Sequence, residues 1–131
     1  MSASKKILFI LYTADQTRSQ RFYTDLLLTK PSLDVTGMTE IPLSDNTFLG
    51  LMPAKNIVSI LEGAVITPDS LHDAPRCELY LYVDDPDIFY ERAISLGARP
   101  LSAGKLRNWG DYAAYCADFD NNIIAFAHLK K

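Results

Sequence analysis

The sequence predicts an α+β fold built from two successive β-α-β-β-β modules. Three observations carry this reading. Leu11-Tyr12-Thr13-Ala14-Asp15 is matched by Leu81-Tyr82-Val83-Asp84-Asp85, and each stretch ends an apolar run on an aspartate suited to cap a helix. Phe22-Tyr23 on the first helix is matched by Phe89-Tyr90 on the second, allowing three fewer residues at the second helix start. Asp45-Asn46 and Asp120-Asn121-Asn122 each precede a strand, where their side chains favour tight turns. Recurrence of this kind signals a repeated structural unit.

Lys6 to Thr13 reads as a strand because it is a short apolar run rich in β-formers. Asp15 caps a helix over Gln16 to about Leu28, with Phe22/Leu26 and Tyr23/Leu27 as i,i+4 pairs, and Lys30-Pro31 ends it. Leu33–Thr36, Met38–Leu43 and Thr47–Met52 follow as strands, the last two joined by the Ser44-Asp45-Asn46 turn. Ala54–Leu61 is a short helix with Ile57, Ile60 and Leu61 on one side, stopped by Glu62-Gly63, and Val65–Pro75 is a connector. In the second module Cys77–Val83 alternates as a strand, with Glu78, Tyr80 and Tyr82 on one face. Asp85-Pro86 opens a helix with Phe89, Ala93 and Leu96 as its core stripe, and Gly97 closes it. Arg99–Leu101 is a short strand. The loop Arg107-Asn108-Trp109-Gly110-Asp111-Tyr112 then leads into a hairpin, Ala113–Ala117 and Ile123–Ala127, in which Asn121-Asn122 supplies the positive φ that glycine usually provides.

At 131 residues the chain fits one domain: module one over about 5–62, connector over about 63–75, module two over about 76–129. A formal net charge of −3, a pI near 5.2 and no long basic run argue against a nucleic-acid partner. Cys77 and Cys116 match no metal spacing and are read as small buried residues in a reducing cytoplasm. Lys5-Lys6 ahead of Ile7–Leu11 faintly resembles a secretory signal, but the apolar run is too short for one and far too short to span a bilayer. A soluble cytoplasmic protein with no membrane association is the expectation.

Paired β-α-β-β-β modules resemble the vicinal oxygen chelate superfamily, which includes glyoxalase I, bleomycin-resistance proteins and extradiol dioxygenases. The specific marks are the strands ending in Val/Ala-Asp, the Phe-Tyr on each helix, and Trp109-Gly110-Asp111 followed by Asp118-Phe119-Asp120-Asn121-Asn122. The last is similar to the family's Asp-Pro-Asp-Gly-Asn hairpin, with Phe119 and Asn121 departing from it. The resemblance implies that each module curls its sheet into a half-cup and that the two meet around one cavity. It also implies a homodimer. For metal-dependent members it implies His or Glu ligands near the start of each first strand and on each last strand. Here those positions fall at Leu8, within Leu49-Gly50-Leu51, at Glu78 and at Ala125. One carboxylate cannot hold a catalytic ion, so no metal and no cofactor are expected. His72 lies in the connector, and His128 is odd-spaced from Ala125 and faces the other way.

The candidate ligand-binding residues are Glu78, Tyr80, Arg107, Trp109, Asp111 and Tyr115. Glu78 reads equally as a cation site or base among tyrosines and as a solvated strand-end carboxylate. Trp109 offers a stacking surface and one N–H donor, or else a lid on the core. Arg107 pairs with Asp111 across the loop or faces an anion. Tyr115 is in phase with Asp111 on the hairpin strand. The preferred expectation is a metal-independent binder of a small aromatic or cationic molecule. The alternatives are a glyoxalase-type lyase or isomerase using Glu78 as its catalytic base, and a non-catalytic dimeric module.

Overall fold

The computed structural model describes residues 3–68 and 74–129. The chain divides into two compact units, Met1–Ser70 and Leu71–Lys131, each with its own four-stranded sheet. His72 lies outside the described residues.

The first unit runs β1 (Ile7–Thr13), α1 (Gln16–Leu27), β2 (Leu33–Val35), β3 (Met38–Ser44), β4 (Thr47–Pro53) and α2 (Ala54–Ile60). Its sheet order is β1-β4-β3-β2, with β1 parallel to β4 and the other neighbours antiparallel. The Asp15 carboxylate accepts from the Arg18 N–H at 3.0 Å and so caps α1 as the sequence predicts. The helix stops before Lys30-Pro31: Leu28 takes a left-handed conformation and its N–H returns to the Thr24 carbonyl. Phe22, Tyr23 and Leu26 are buried with Ile41, Leu49 and Leu51 of the sheet. Gln16 ties the helix start to the β2–β3 turn, donating to Val35 O and Thr39 Oγ1 and accepting from Gly37 N. The expected apolar side of α2 is not a core stripe, since no residue of that helix is buried and Ile60 and Leu61 are exposed.

The second unit runs β5 (Glu78–Tyr82), α3 (Pro86–Ser95), β6 (Arg99–Leu106), β7 (Asp111–Ala117) and β8 (Ile123–Leu129), in sheet order β5-β8-β7-β6. Again the first strand pairs in parallel with the last. The Asp85 carboxylate accepts from the Ile88 N–H at 3.3 Å, with Pro86 in the first turn of α3. One face of the sheet packs under α3: the Phe89 and Phe126 rings lie 5.7 Å apart, and Ile124, Phe126, Ala114 and Cys116 are fully buried.

Two expectations need correction here. The strand from Arg99 continues to Leu106 rather than ending at Leu101. Pro100 and Gly104 disguise it, because the strand is an edge with register shifts on either side of Ser102, where such residues are tolerated. Cys77 is exposed rather than buried, since it precedes the first paired residue, Glu78; Cys116 is buried as expected. The Asp118–Asn122 turn is tied by the Asp118 carboxylate, which accepts from the N–H groups of Asp120 and Asn122 and from the Asn122 amide. Asn121 takes the positive φ, 64°.

Candidate functional site

The register of the second sheet assembles the candidate residues. Tyr80 lies beside Ala125 and Ala125 beside Tyr115, while Tyr82, Ala127 and Ala113 form the next row. Glu78 sits beside Ile123 one row below, and Asp111 beside Leu129 at the other end. Residues in such rows share one face. Because Phe126 alternates with Ala125 and Ala127 and meets α3, this is the face opposite the helix. Its middle is small: Ala113, Ala125 and Ala127 are fully buried.

The loop before β7 aims the aromatic and charged groups. The Gly110 N–H bonds to Arg107 O, and the Arg107 N–H bonds to Asp111 O at 2.7 Å. Gly110 adopts φ +103°, a conformation that an L side chain rarely takes. This tight turn leaves the Trp109 side chain outside, 57% exposed, so it is no lid on the core. The indole N–H donates to the Tyr80 hydroxyl at 3.0 Å. Tyr80 and Tyr82 each donate to the same oxygen of Asp111, Oδ2, at 2.7 Å. The Tyr80 and Tyr82 rings meet edge to face, with centroids 5.4 Å apart.

These bonds set the protonation states. The Tyr80 hydroxyl, then that of Tyr82, holds the Asp111 carboxyl below its ordinary value, so Asp111 is an anion at neutral pH. Burial, then donation to Asp111, pushes the Tyr80 phenol up to about 12. Tyr82 is raised chiefly by the same carboxylate, and Tyr115 by burial and then by the charge of Glu78. Trp109, Tyr80, Asp111 and Tyr82 thus form one connected chain of donors ending on a carboxylate.

Arg107 does not pair with Asp111 through its side chain. The guanidinium folds over the Tyr115 ring, 4.9 Å from its centroid, and donates to Ala113 O and Ser102 Oγ. The backbone link between Arg107 and Asp111 already closes the loop, and both Asp111 donors come from β5. Glu78 is exposed and no hydrogen bond to it is described. The structure therefore joins Tyr80, Trp109 and Asp111 directly and Arg107 with Tyr115, and it leaves Glu78 on the same face with no hydrogen-bond partner among the described residues. Two contributors were missed. Tyr82 was legible as sharing the face of Tyr80, but its reach to Asp111 depends on the register; nothing in the sequence marked Ser102.

Among the described residues no group of three His, Cys, Asp or Glu side chains is arranged to hold a metal ion. Leu8, the stretch Leu49-Gly50-Leu51 and Ala125 carry no side-chain donor atom, so the positions at which the resemblance implies metal ligands do not fit a metal, Glu78 excepted. On the face opposite Leu49 in β4, a Cβ at Gly50 would come within 2.9 Å of Ile10 Cγ1 and 3.3 Å of Leu8 Cδ1. A depression of about 310 Å³ lies elsewhere, in the first unit, lined by Gln16, Thr17, Gln20, Asp34, Val35 and Thr36, and contains none of the candidate residues.

No helix among the described residues is long and apolar enough to cross a membrane. No protein-family model matches the chain, and no curated protein sequence matches it. Solved structures do. A glyoxalase-related enzyme from Fulvimarina pelagi aligns with a TM-score of 0.78 at 20% identity, over 93% of this chain and 86% of that one. A glyoxalase/bleomycin resistance protein/dioxygenase family enzyme from Burkholderia phytofirmans PsJN aligns with a TM-score of 0.79 at 16% identity, over 94% and 97%. Lactoylglutathione lyase from Agrobacterium tumefaciens aligns with a TM-score of 0.71 at 18% identity, over 97% and 95%. With the repeated β-α-β-β-β order and the parallel closure of each sheet, these likenesses establish that the chain has the glyoxalase/bleomycin resistance/dioxygenase fold.

Proposed function

We propose that the protein binds a small aromatic molecule on the Tyr80–Trp109–Tyr115 face and does so without a catalytic metal. The observation that carries this reading is Trp109: a large ring held exposed while its N–H is fixed to Tyr80, which is itself fixed to Asp111. A preorganised aromatic surface loses little conformational entropy on stacking a ligand. Glu78, exposed at the strand start, borders the same face. The absence of donor atoms at Leu8, Gly50 and Ala125 supports binding rather than metal chemistry. A soluble, cytoplasmic homodimer completes the reading.

The test is a thermal-shift screen of small aromatic compounds in chelator and in added divalent metal. A ligand that binds the folded state raises Tm in both conditions equally. Trp109→Ala abolishes that rise while leaving the ligand-free Tm within a few degrees, because the side chain is exposed. A response that depends on metal, or one that survives Trp109→Ala, overturns the proposal.

A further inference from the structure

Arg107 is a fixed cation without a counter-ion among the described residues. Its Nε donates to Ala113 O at 3.2 Å, and its Nη2 to Ala113 O at 2.8 Å, Ser102 Oγ at 2.9 Å and Ala103 O at 3.4 Å. These acceptors orient the guanidinium but carry no full charge. No carboxylate lies within ion-pair distance of it among the described residues. The remaining nitrogen, Nη1, has no described hydrogen bond, and it is not one of the buried side-chain atoms lacking a partner, so it reaches solvent. The Tyr115 ring beneath it carries a hydroxyl that likewise has no described partner, and burial together with the Glu78 charge keeps that phenol protonated at neutral pH. With Nη2 engaged, the group left to a ligand is Nη1, and a carboxylate can accept from Nη1 through one oxygen and from the Tyr115 hydroxyl through the other.

We infer that Arg107 Nη1 and the Tyr115 hydroxyl receive the carboxylate of an aromatic monoanion whose ring lies against Trp109. This rests on the reading that this face binds a small aromatic ligand, and it adds the charge of that ligand. The limit to one negative charge comes from the surroundings. Glu78 and Asp111 both act on Tyr115 through their charges and Arg107 opposes them, so a second negative charge on the ligand adds repulsion from two carboxylates against one guanidinium.

Trp109 is the only tryptophan, so its fluorescence reports this face alone. Phenylacetate, phenylacetamide, phenethylamine and phenyl phosphate are titrated against the full chain, offering one ring with a carboxylate, a neutral amide, a cation and a dianion. Phenylacetate is expected to act at a concentration at least about tenfold lower than the other three, the span of one charge-assisted hydrogen bond. In Arg107→Gln that preference collapses to near parity while the response to phenylacetamide persists. Tyr115→Phe keeps the ring under the guanidinium, removes the donor and reduces the preference severalfold. An unchanged preference in Arg107→Gln overturns the inference, as does tighter binding of the amine or the phosphate. Should Arg107→Gln fail to fold, Tyr115→Phe decides: full preference there overturns the inference. Binding of phenylacetamide with no preference for phenylacetate refutes the carboxylate assignment and leaves the aromatic-binding reading standing. If no probe perturbs Trp109, both fall.

Discussion

The Tyr80 hydroxyl donates to Asp111 Oδ2 at 2.7 Å across 31 residues of sequence, and it joins the first strand of the second unit to the start of its third strand. Asp111 is only 3% exposed, so its charge depends on donors from the protein rather than on water. Tyr82 supplies the second donor to the same oxygen.

Acid should expose this dependence. The folded-state pKa of Asp111 is lowered from the ordinary 3.8, so its contribution to stability is present above that value and is lost as pH falls through the folded value. Asp111→Asn is expected to lower Tm at neutral pH by several degrees, because an amide gives the two phenols a weaker, uncharged acceptor. The gap between variant and parent narrows as both are taken below pH 3.8. Tm recorded as a function of pH checks this. A gap that does not change with pH rules out the charge as its cause.

Alkali probes the donor side. Tyr80 is raised to about 12, from an ordinary 10.0, chiefly by burial and then by its bond to Asp111. A phenol raised in the folded state contributes stability that is full below 10.0 and disappears as pH climbs through about 12. Spectrophotometric titration of tyrosinate should therefore show a late class, and Tyr80→Phe should remove one phenol from it. Loss of a phenol from the early class instead would show that Tyr80 is solvated.

Gly104 in β6 is set by contact rather than by backbone conformation. A Cβ there would lie 2.5 Å from both Asp87 Oδ1 and the Tyr112 hydroxyl, and 2.6 Å from Tyr112 Cζ. Those groups form the hydrogen bond that ties β7 to α3, at 2.7 and 2.8 Å. Gly104→Ala is expected to destabilise by about 1–3 kcal/mol through overpacking. In a Tyr112→Ala background the same change should cost much less, giving a clear coupling in a double-mutant cycle by denaturant unfolding. Strict additivity would refute the steric account.

Ala125→Glu places a carboxylate at a fully buried site between Tyr80 and Tyr115. With the Tyr80 hydroxyl already given to Asp111, the variant should lose about 3 kcal/mol or more at neutral pH. Burial raises the new carboxyl above about 4.3, so the loss is smallest below that value, where only overpacking remains, and grows as pH rises past it. Tm differences from the parent at mildly acidic and mildly alkaline pH give the sign. Equal differences would mean that the alanine row is open to water.

The repeated architecture was legible because both helix caps, both Asx turns and the alternation of Glu78, Tyr80 and Tyr82 are local signals. The end of β6 was not, because Pro100 and Gly104 break β-propensity on an edge strand where shifts of register absorb them. Within the candidate site, Tyr80, Trp109 and Asp111 were singled out, but their hydrogen bonds depend on which strand lies beside which. The choice left open for Arg107, between Asp111 and an anion, turned on the loop: a tight turn that already joins the two residues through the backbone sends the guanidinium back over Tyr115.

The sheet order also constrains how the molecule comes into being. In the second unit β8 lies between β5 and β7, so the last strand synthesised fills an inner position of its sheet. A nascent chain ending after β7 holds a hairpin whose β7 edge is not yet covered and a first strand, from Glu78, that has no neighbour until Ile123 emerges. Pairing partners so distant in sequence close slowly, and the open edge is a place where two unfinished chains can join. The same order recurs in the first unit, where β4 seals β1. Each sheet is therefore complete only once its closing strand, β4 or β8, has been synthesised.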